Sequence, residues 1–168
     1  KEFDKDKWIT ILSSITGMQT GKGVPDVDKL KPLIDYCKNP NGESSGDRWI
    51  DILSSITGMQ TGKGVPDLNQ LKPLIDYCKK PNGESSGDKW INILSSITGM
   101  QTGLGILKLD LNDLNDLVIY CQDLGKEFDK DKWITIFSSI TGMQCGKGVP
   151  KLEQLKPLID YCKKPNIS

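Results

Sequence analysis

One stretch of this chain limits its possible folds more than any other, because it occurs four times. The segment WITILSSITGMQTGKG begins at Trp8 and returns almost unchanged from Trp49, Trp90 and Trp133, at spacings of 41, 41 and 43 residues. A unit of about 41 residues therefore accounts for the whole chain of 168 residues. This periodicity predicts a single repeat domain, 1–168, with units at 1–44, 45–85, 86–128 and 129–168.

Each unit opens with the pattern of an amphipathic helix, which we name helix A. On a helical wheel the large apolar side chains gather around Trp8 and the small polar ones gather on the opposite side. Trp8 and its copies are therefore predicted to be core anchors rather than stacking platforms. Either Gly17 or Gly21 serves as the C-cap. The predicted N-caps are Asp4, Ser45 and Ser86.

The second element of each unit, named helix B, begins near Asp26 in the first unit and carries apolar residues at steps of three and four. Pro32 lies inside this pattern, so helix B either kinks there or begins there with the proline in its first turn. It ends before Pro40. Neither helix buries its apolar face alone, whereas neighbouring pairs share a core. The predicted fold is all-α, an α-solenoid of four tandem helix-loop-helix repeats.

The third unit departs from the other three. It has two extra residues before its helix B, and Asp116 stands where the other units have proline. Residues 126–136 then repeat residues 1–11 letter for letter. The fourth unit thus restarts a cycle of three.

The composition argues against most enzymes. Twenty-two basic and 22 acidic side chains give no net charge at pH 7, which indicates neither a nucleic acid nor an anionic membrane as partner. Histidine is absent, and with it the commonest general base and metal ligand. No acidic loop or cysteine cluster has the spacing of a metal site. We expect no catalytic residues, no cofactor and no metal, and no apolar run is long enough to span a membrane.

Four of the five cysteines follow the repeat tyrosine at the same place in each unit. Equivalent positions in stacked helical repeats are roughly 10 Å apart, too far for a disulfide. We interpret them as reduced core thiols, which favours the cytoplasm or another reducing intracellular compartment and leaves a secreted location open. They are Cys37, Cys78, Cys121 and Cys162. Cys145, in the first loop of its unit, is either a reactive or intermolecular thiol or the product of drift.

The glycine-rich loop GMQTGKG invites comparison with a phosphate-binding Walker A loop. Three residues rather than four separate Gly17 from Gly21, Gly23 replaces the hydroxyl residue, and the segment follows a helix. A turn between helices is the better interpretation. One phosphate-binding lysine per unit is the alternative, which Leu104 interrupts in the third unit. These lysines are Lys22, Lys63 and Lys147.

The polar side of helix A carries small, uncharged residues, including Ser13 and Ser14. Close packing against a neighbouring helix explains such residues. Recognition of a partner explains them as well, because one hydrogen-bonding position varies on an otherwise fixed frame. Neutral drift would produce the same variation. The varying residues are Thr10, Asp51, Asn92 and Thr135.

Residues 71–83, LKPLIDYCKKPNG, resemble the second helix of transcription-activator-like effector repeats, with its internal proline and late cysteine. The two-helix units with short polar variation also look like pentatricopeptide arrays. The resemblance implies a modular array that reads nucleic-acid bases through the varying position of helix A.

Two functions follow from these patterns. The first is a non-enzymatic scaffold that binds another macromolecule, most often a protein, or assembles with its own kind. The alternative is the nucleic-acid-binding array.

Overall fold

A computed structural model describes residues 7–40, 48–83, 89–128 and 131–163. All regular structure in these ranges is helical, which confirms the all-α prediction. The A helices are α1 (Lys7–Met18), α3 (Trp49–Gln60), α5 (Trp90–Gln101) and α7 (Lys132–Met143). The B helices are α2 (Val27–Lys38), α4 (Leu68–Lys79), α6 (Leu111–Leu124) and α8 (Leu152–Lys163). Short 3-10 turns follow at Pro81–Gly83, Ile106–Lys108 and Gly125–Glu127. None of the helices in these ranges is long and apolar enough to cross a bilayer.

Three B helices, α2, α4 and α6, begin directly after an aspartate, as the sequence predicts for the first unit, whereas Lys151 precedes α8. The side chain of Asp26 accepts a hydrogen bond from the Asp28 backbone N–H at 2.9 Å, and so satisfies a donor that the first turn leaves free. Asp67 and Asp110 cap α4 and α6 in the same way. Helix α2 therefore starts at Val27 and runs through Pro32, so the alternative of a start at the proline is wrong.

The A helices end before a loop with two left-handed glycines. Gly17 lies inside α1, whereas Gly21 and Gly23 follow the helix with φ of 77° and 85°. Because L side chains rarely adopt such angles, glycine at these two positions lets the chain leave the helix and turn. Gly21 rather than Gly17 is thus the capping glycine. The predicted N-caps Asp4, Ser45 and Ser86 lie outside the described residues.

Successive A helices contact one another in the order α1, α3, α5 and α7. Each B helix also packs closely on the A helix of the following unit: α2 on α3, α4 on α5, and α6 on α7. One apolar cluster extends through these contacts from Met18 to Leu155. An A helix in the middle of the chain is therefore covered from two sides, and its large apolar side chains are buried.

The two extra residues of the third unit are accommodated locally. The 3-10 turn Ile106–Lys108 takes them up, and α6 still begins directly after its capping residue, Asp110. At its other end α6 extends to Leu124, at the place where the other units have a proline. A proline there would remove a backbone donor and end the helix, so its absence explains the extra length.

Candidate binding surface of the A helices

The A helices meet through their small polar residues. The hydroxyl groups of Ser14 and Ser54 are 3.4 Å apart, so the second serine of one unit contacts the first serine of the next. The same pairing recurs one unit later and again after that. These pairs are Ser55 with Ser95 and Ser96 with Ser138, each at 3.1 Å. The packing interpretation of the serines is therefore supported, and Ser14 is buried while Ser13 is exposed.

Glycine allows the A helices to approach closely. A Cβ atom added to Gly17 would lie 2.9 Å from Thr57 Cγ2, and one added to Gly58 would lie 2.6 Å from Thr98 Cγ2. Thr98 uses this proximity, because its hydroxyl donates to the Ser55 carbonyl at 3.0 Å. The third helix pair is less tight, since nothing lies within 4 Å of a Cβ on Gly99.

The glycine-rich loops of the second, third and fourth units each cap helix A of the unit before them. The Gly62 N–H donates to the Gly17 carbonyl at 3.3 Å, and the Gly64 N–H donates to the Met18 carbonyl at 2.7 Å. These carbonyls belong to the last turn of α1, which has no partner for them within the helix. The same two bonds recur at the next two boundaries between units. They join Gly103 with Gly58, Gly105 with Met59, Gly146 with Gly99, and Gly148 with Met100, at 2.8 to 3.2 Å.

Two buried glutamines, which the sequence analysis did not single out, hold the loops of the second and third units in shape. The side-chain amide of Gln60 donates to the Gly64 carbonyl at 3.1 Å, and its oxygen accepts the Ile106 N–H of the next unit at 2.8 Å. The side-chain amide of Gln101 donates in the same way to the Gly105 carbonyl. The signal was present in the sequence, because a glutamine precedes the Thr/Cys-Gly pair in all four units.

The varying residues of helix A all lie on the surface. Asp51 and Asn92 line one open groove between α3 and α5, together with Ser54 and Ser95. Arg48 lies on the rim of this groove and forms an ion pair with Asp51 at 3.9 Å. Thr10 and Thr135 are exposed on the flanking helices α1 and α7 and do not line the groove. The structure thus brings two of the four candidates together.

The loop lysines Lys22, Lys63 and Lys147 are exposed. The backbone N–H groups beside Lys63 and Lys147 already donate to the preceding helix, so these loops do not offer them to a phosphate. Lys63 also lies against the next loop, with its Cγ atom 3.3 Å from where a Cβ on Gly105 would be. The loops are therefore built as joints between units, as the interpretation of a turn between helices requires.

Tryptophan anchors three of the units. Trp49, Trp90 and Trp133 are buried, and the preceding helix B places Lys38 over the Trp49 ring at 5.4 Å. Trp8 is 52 % exposed, so the prediction of a core anchor is wrong for the first unit. The reason is that no described helix covers the outer side of α1.

The repeat tyrosines contact the next helix B. Lys72 lies over the Tyr36 ring at 5.9 Å. At the following boundary Asn115 occupies the lysine position and accepts a hydrogen bond from the Tyr77 hydroxyl at 3.0 Å. Burial, and after it the nearby Cys78 and Asp116, raise the pKa of Tyr77 above its usual range. The replacement of lysine by asparagine thus keeps the contact between units while changing its chemistry.

The thiols are free in all five cysteines, and three of them lie in the core as expected. Burial raises the pKa of Cys37 and of Cys121 to about 12, and it raises the pKa of Cys78 as well. A thiol with such a pKa stays protonated and unreactive at neutral pH. Cys162 is exposed together with Cys145, so its assignment to the core is wrong. Within the described ranges no three Cys, Asp or Glu side chains form a group suited to a metal ion.

Comparison with known proteins gives no match: no family model fits the sequence, and no curated protein or solved structure is significantly similar to it. The likeness of residues 71–83 to effector repeats is therefore a local resemblance only.

Proposed function

We propose that this protein is a non-enzymatic repeat scaffold, an α-solenoid of four units, that binds a protein partner along the outer face of its A helices. The solenoid arrangement is supported by the loop-to-helix hydrogen bonds, which recur at equivalent atoms at three successive boundaries. Recurrence of one interface is what builds a solenoid. In such a solenoid the four varying residues occupy equivalent positions on successive A helices.

The groove between α3 and α5 is the observation that carries the binding proposal. Its exposed carboxylate, amide and hydroxyl groups come from Asp51, Asn92, Ser54 and Ser95. These groups accept and donate hydrogen bonds without adding net positive charge, which suits the polar backbone and side chains of a peptide segment. The rest of the stripe, Thr10, Ser13 and Thr135, extends this face along the array.

Nucleic acid is the alternative partner, with the varying residues against bases and Lys22, Lys63 and Lys147 on phosphates. Two observations weigh against it. The Asp51 carboxylate lies in the groove beside Arg48, so the groove presents no net positive charge to a phosphate backbone. The loop N–H groups of the second, third and fourth units are used within the array.

Peptide selection on the immobilised chain tests the proposal. We expect a random peptide library to yield binders whose affinity falls at least about tenfold on Asp51→Lys or Asn92→Lys. Asn69→Lys is the matched control, because Asn69 is exposed on a B helix away from the groove. The proposal is contradicted if the affinity of the selected peptides is unchanged in both groove variants. Fluorescence anisotropy with mixed oligonucleotides at about 50 mM salt tests the alternative, since phosphate contacts are strongest at low salt.

A further inference from the structure

The turn between the second and third units holds an asparagine in a left-handed conformation. Asn82 has φ of 51° and ψ of 40°, and in the described ranges no other residue except glycine has a positive φ. Asparagine adopts this conformation more readily than most residues. Gly83 follows it in the chain, and the turn packs against α6 of the third unit.

Gln122 of α6 holds this turn through both polar atoms of its side-chain amide. Its oxygen accepts a hydrogen bond from Asn82 Nδ2 at 2.9 Å, and its nitrogen donates to the Pro81 carbonyl at 3.4 Å. Because Gln122 is buried, water competes little for these two bonds. The side-chain nitrogen of Asn82 is thus tied to the next unit.

The first boundary has the same turn sequence and a different partner for it. Residues 40–47 and 81–88 both read PNGESSGD. Lys79 occupies the position of Gln122, and its Nζ donates to the Pro40 carbonyl at 2.8 Å. A lysine ammonium donates hydrogen bonds but accepts none. Lysine therefore reproduces the bond to the proline carbonyl, and it offers no acceptor to an asparagine side chain.

An asparagine that precedes a glycine can react with its own backbone. The Gly83 nitrogen attacks Cγ of Asn82, and the new N–C bond closes a five-membered succinimide ring. The Cγ–Nδ2 bond breaks, and Nδ2 leaves as ammonia with the proton that the Gly83 nitrogen loses. Water then opens the ring and leaves aspartate or isoaspartate at position 82. Glycine favours the attack because no Cβ hinders its nitrogen.

The folded turn opposes this reaction in two ways. Ring closure requires the Gly83 nitrogen to eclipse Cβ of Asn82, and a ψ of 40° does not place it there. Ring closure also requires the side chain of Asn82 to leave Gln122. The reaction therefore proceeds from locally opened states, in which the turn has separated from α6.

We propose that Asn82 is a site of intramolecular deamidation whose rate Gln122 controls, so that the modification fixes an opening of the boundary between the second and third units. The carboxylate that forms can only accept hydrogen bonds. It faces the Gln122 oxygen, or Gln122 turns over and its oxygen faces the Pro81 carbonyl. One pair of acceptors opposes the closed boundary in either orientation. This proposal does not rest on the groove between α3 and α5.

Peptide mapping by mass spectrometry tests the proposal on the full chain during prolonged incubation in mildly alkaline buffer. Asn41 is the internal comparison, because it lies outside the described residues but has the same neighbours in sequence. We expect Asn82 to deamidate on the order of fivefold more slowly than Asn41, as one additional hydrogen bond predicts. In concentrated urea the two rates should be equal, since only the local sequence then matters.

Exchanging the partner residues separates the effect of Gln122 from other differences between the boundaries. Gln122→Lys should raise the rate at Asn82 to that at Asn41 and leave Asn41 unchanged. This variant is expected to fold, because lysine occupies the equivalent position at Lys79. Lys79→Gln is the reciprocal variant and should slow the reaction at Asn41. The proposal is overturned if Asn82 reacts as fast as Asn41 in the folded wild-type chain, or if Gln122→Lys leaves the rate at Asn82 unchanged.

The variant Asn82→Asp tests whether the product weakens the boundary. We expect it to lower the melting temperature by about 2 to 4 °C, as the loss of one hydrogen bond predicts for a chain of this size. In the Gln122→Lys background the same change should have no cost, because an ammonium donates to the new carboxylate. An equal decrease in both backgrounds, or no decrease in the wild type, would show that the product does not hold the boundary open.

Discussion

Helices α4 and α8 have nearly the same sequence and very different surroundings. LNQLKPLIDYCK in α4 and LEQLKPLIDYCK in α8 differ only at Asn69 and Glu153. Four side chains of α4 are buried, whereas only Leu155 is buried in α8. The difference is the following helix A: α5 covers α4, and no described helix covers α8 in this way. An amphipathic pattern thus shows which face can be buried, and the neighbour decides whether it is buried.

Truncating the equivalent leucine in α4 and in α8 should produce the largest difference in the free energy of unfolding. Leu74→Ala is expected to lower the free energy of unfolding by about 3 kcal/mol, because it removes a fully packed side chain and leaves a cavity. Leu158→Ala should cost less than about 1 kcal/mol, because Leu158 is partly in solvent. Urea unfolding of both variants measures the difference. Equal costs would show that α8 is covered in solution.

Replacing glycine by alanine should destabilise the protein in α3 and stabilise it in α7. Gly58→Ala places a Cβ 2.6 Å from Thr98 Cγ2 and is expected to destabilise the protein by about 2 kcal/mol. Gly142→Ala meets nothing within 4 Å, so the better helix propensity of alanine should stabilise α7 by up to about 1 kcal/mol. Melting temperatures of the two variants give the signs. A stabilising Gly58→Ala would refute the close approach of α3 and α5.

The buried thiols should make stability fall in alkaline solution. The pKa of Cys37 and Cys121 is about 12 in the folded chain, against an ordinary 9.0, so the unfolded thiols ionise first as the pH rises. The contribution of these thiols to the free energy of unfolding is fully present below pH 9.0 and should fall by about 1 kcal/mol per thiol at pH 10.

Urea titrations at neutral pH and at about pH 10 measure this loss. Cys121→Ala should reduce the loss by the share of one thiol. The matched Cys162→Ala should leave it unchanged, since Cys162 is exposed. A pH dependence that is the same in both variants would contradict the assignment to the buried thiols.

Removing the lysine that lies over the Trp90 ring, compared with removing its counterpart on α8, should make the smallest contrast. Lys79 lies over the Trp90 ring at 5.3 Å and also donates to the Pro40 carbonyl at 2.8 Å. Lys79→Ala is expected to cost about 1 kcal/mol. Lys163→Ala, at the equivalent place on α8, should be neutral in the dilute monomer. A measurable cost for Lys163→Ala at low concentration would show that its side chain has a partner within one chain.

Most local features of the fold could be predicted from the sequence. The repeat period, the two helices of each unit and the aspartate before helix B all follow from spacing and capping chemistry, which act within a few residues. The candidate surface could be predicted only in part. Thr10, Asp51, Asn92 and Thr135 are exposed as expected, but Ser14 is buried against the next helix. A helical wheel does not reveal which neighbour covers a polar face.

By itself the sequence determined the unit and its two amphipathic faces, because hydrophobic periodicity and glycine and proline positions act locally. Only the tertiary structure decided that each helix B packs on the next helix A, and that each loop caps the helix before it. The loop contacts join residues 45 to 48 positions apart, and they depend on how the left-handed glycines direct the chain. Burial therefore depends on which helices pack together, and the nearly identical sequences of α4 and α8 have different environments.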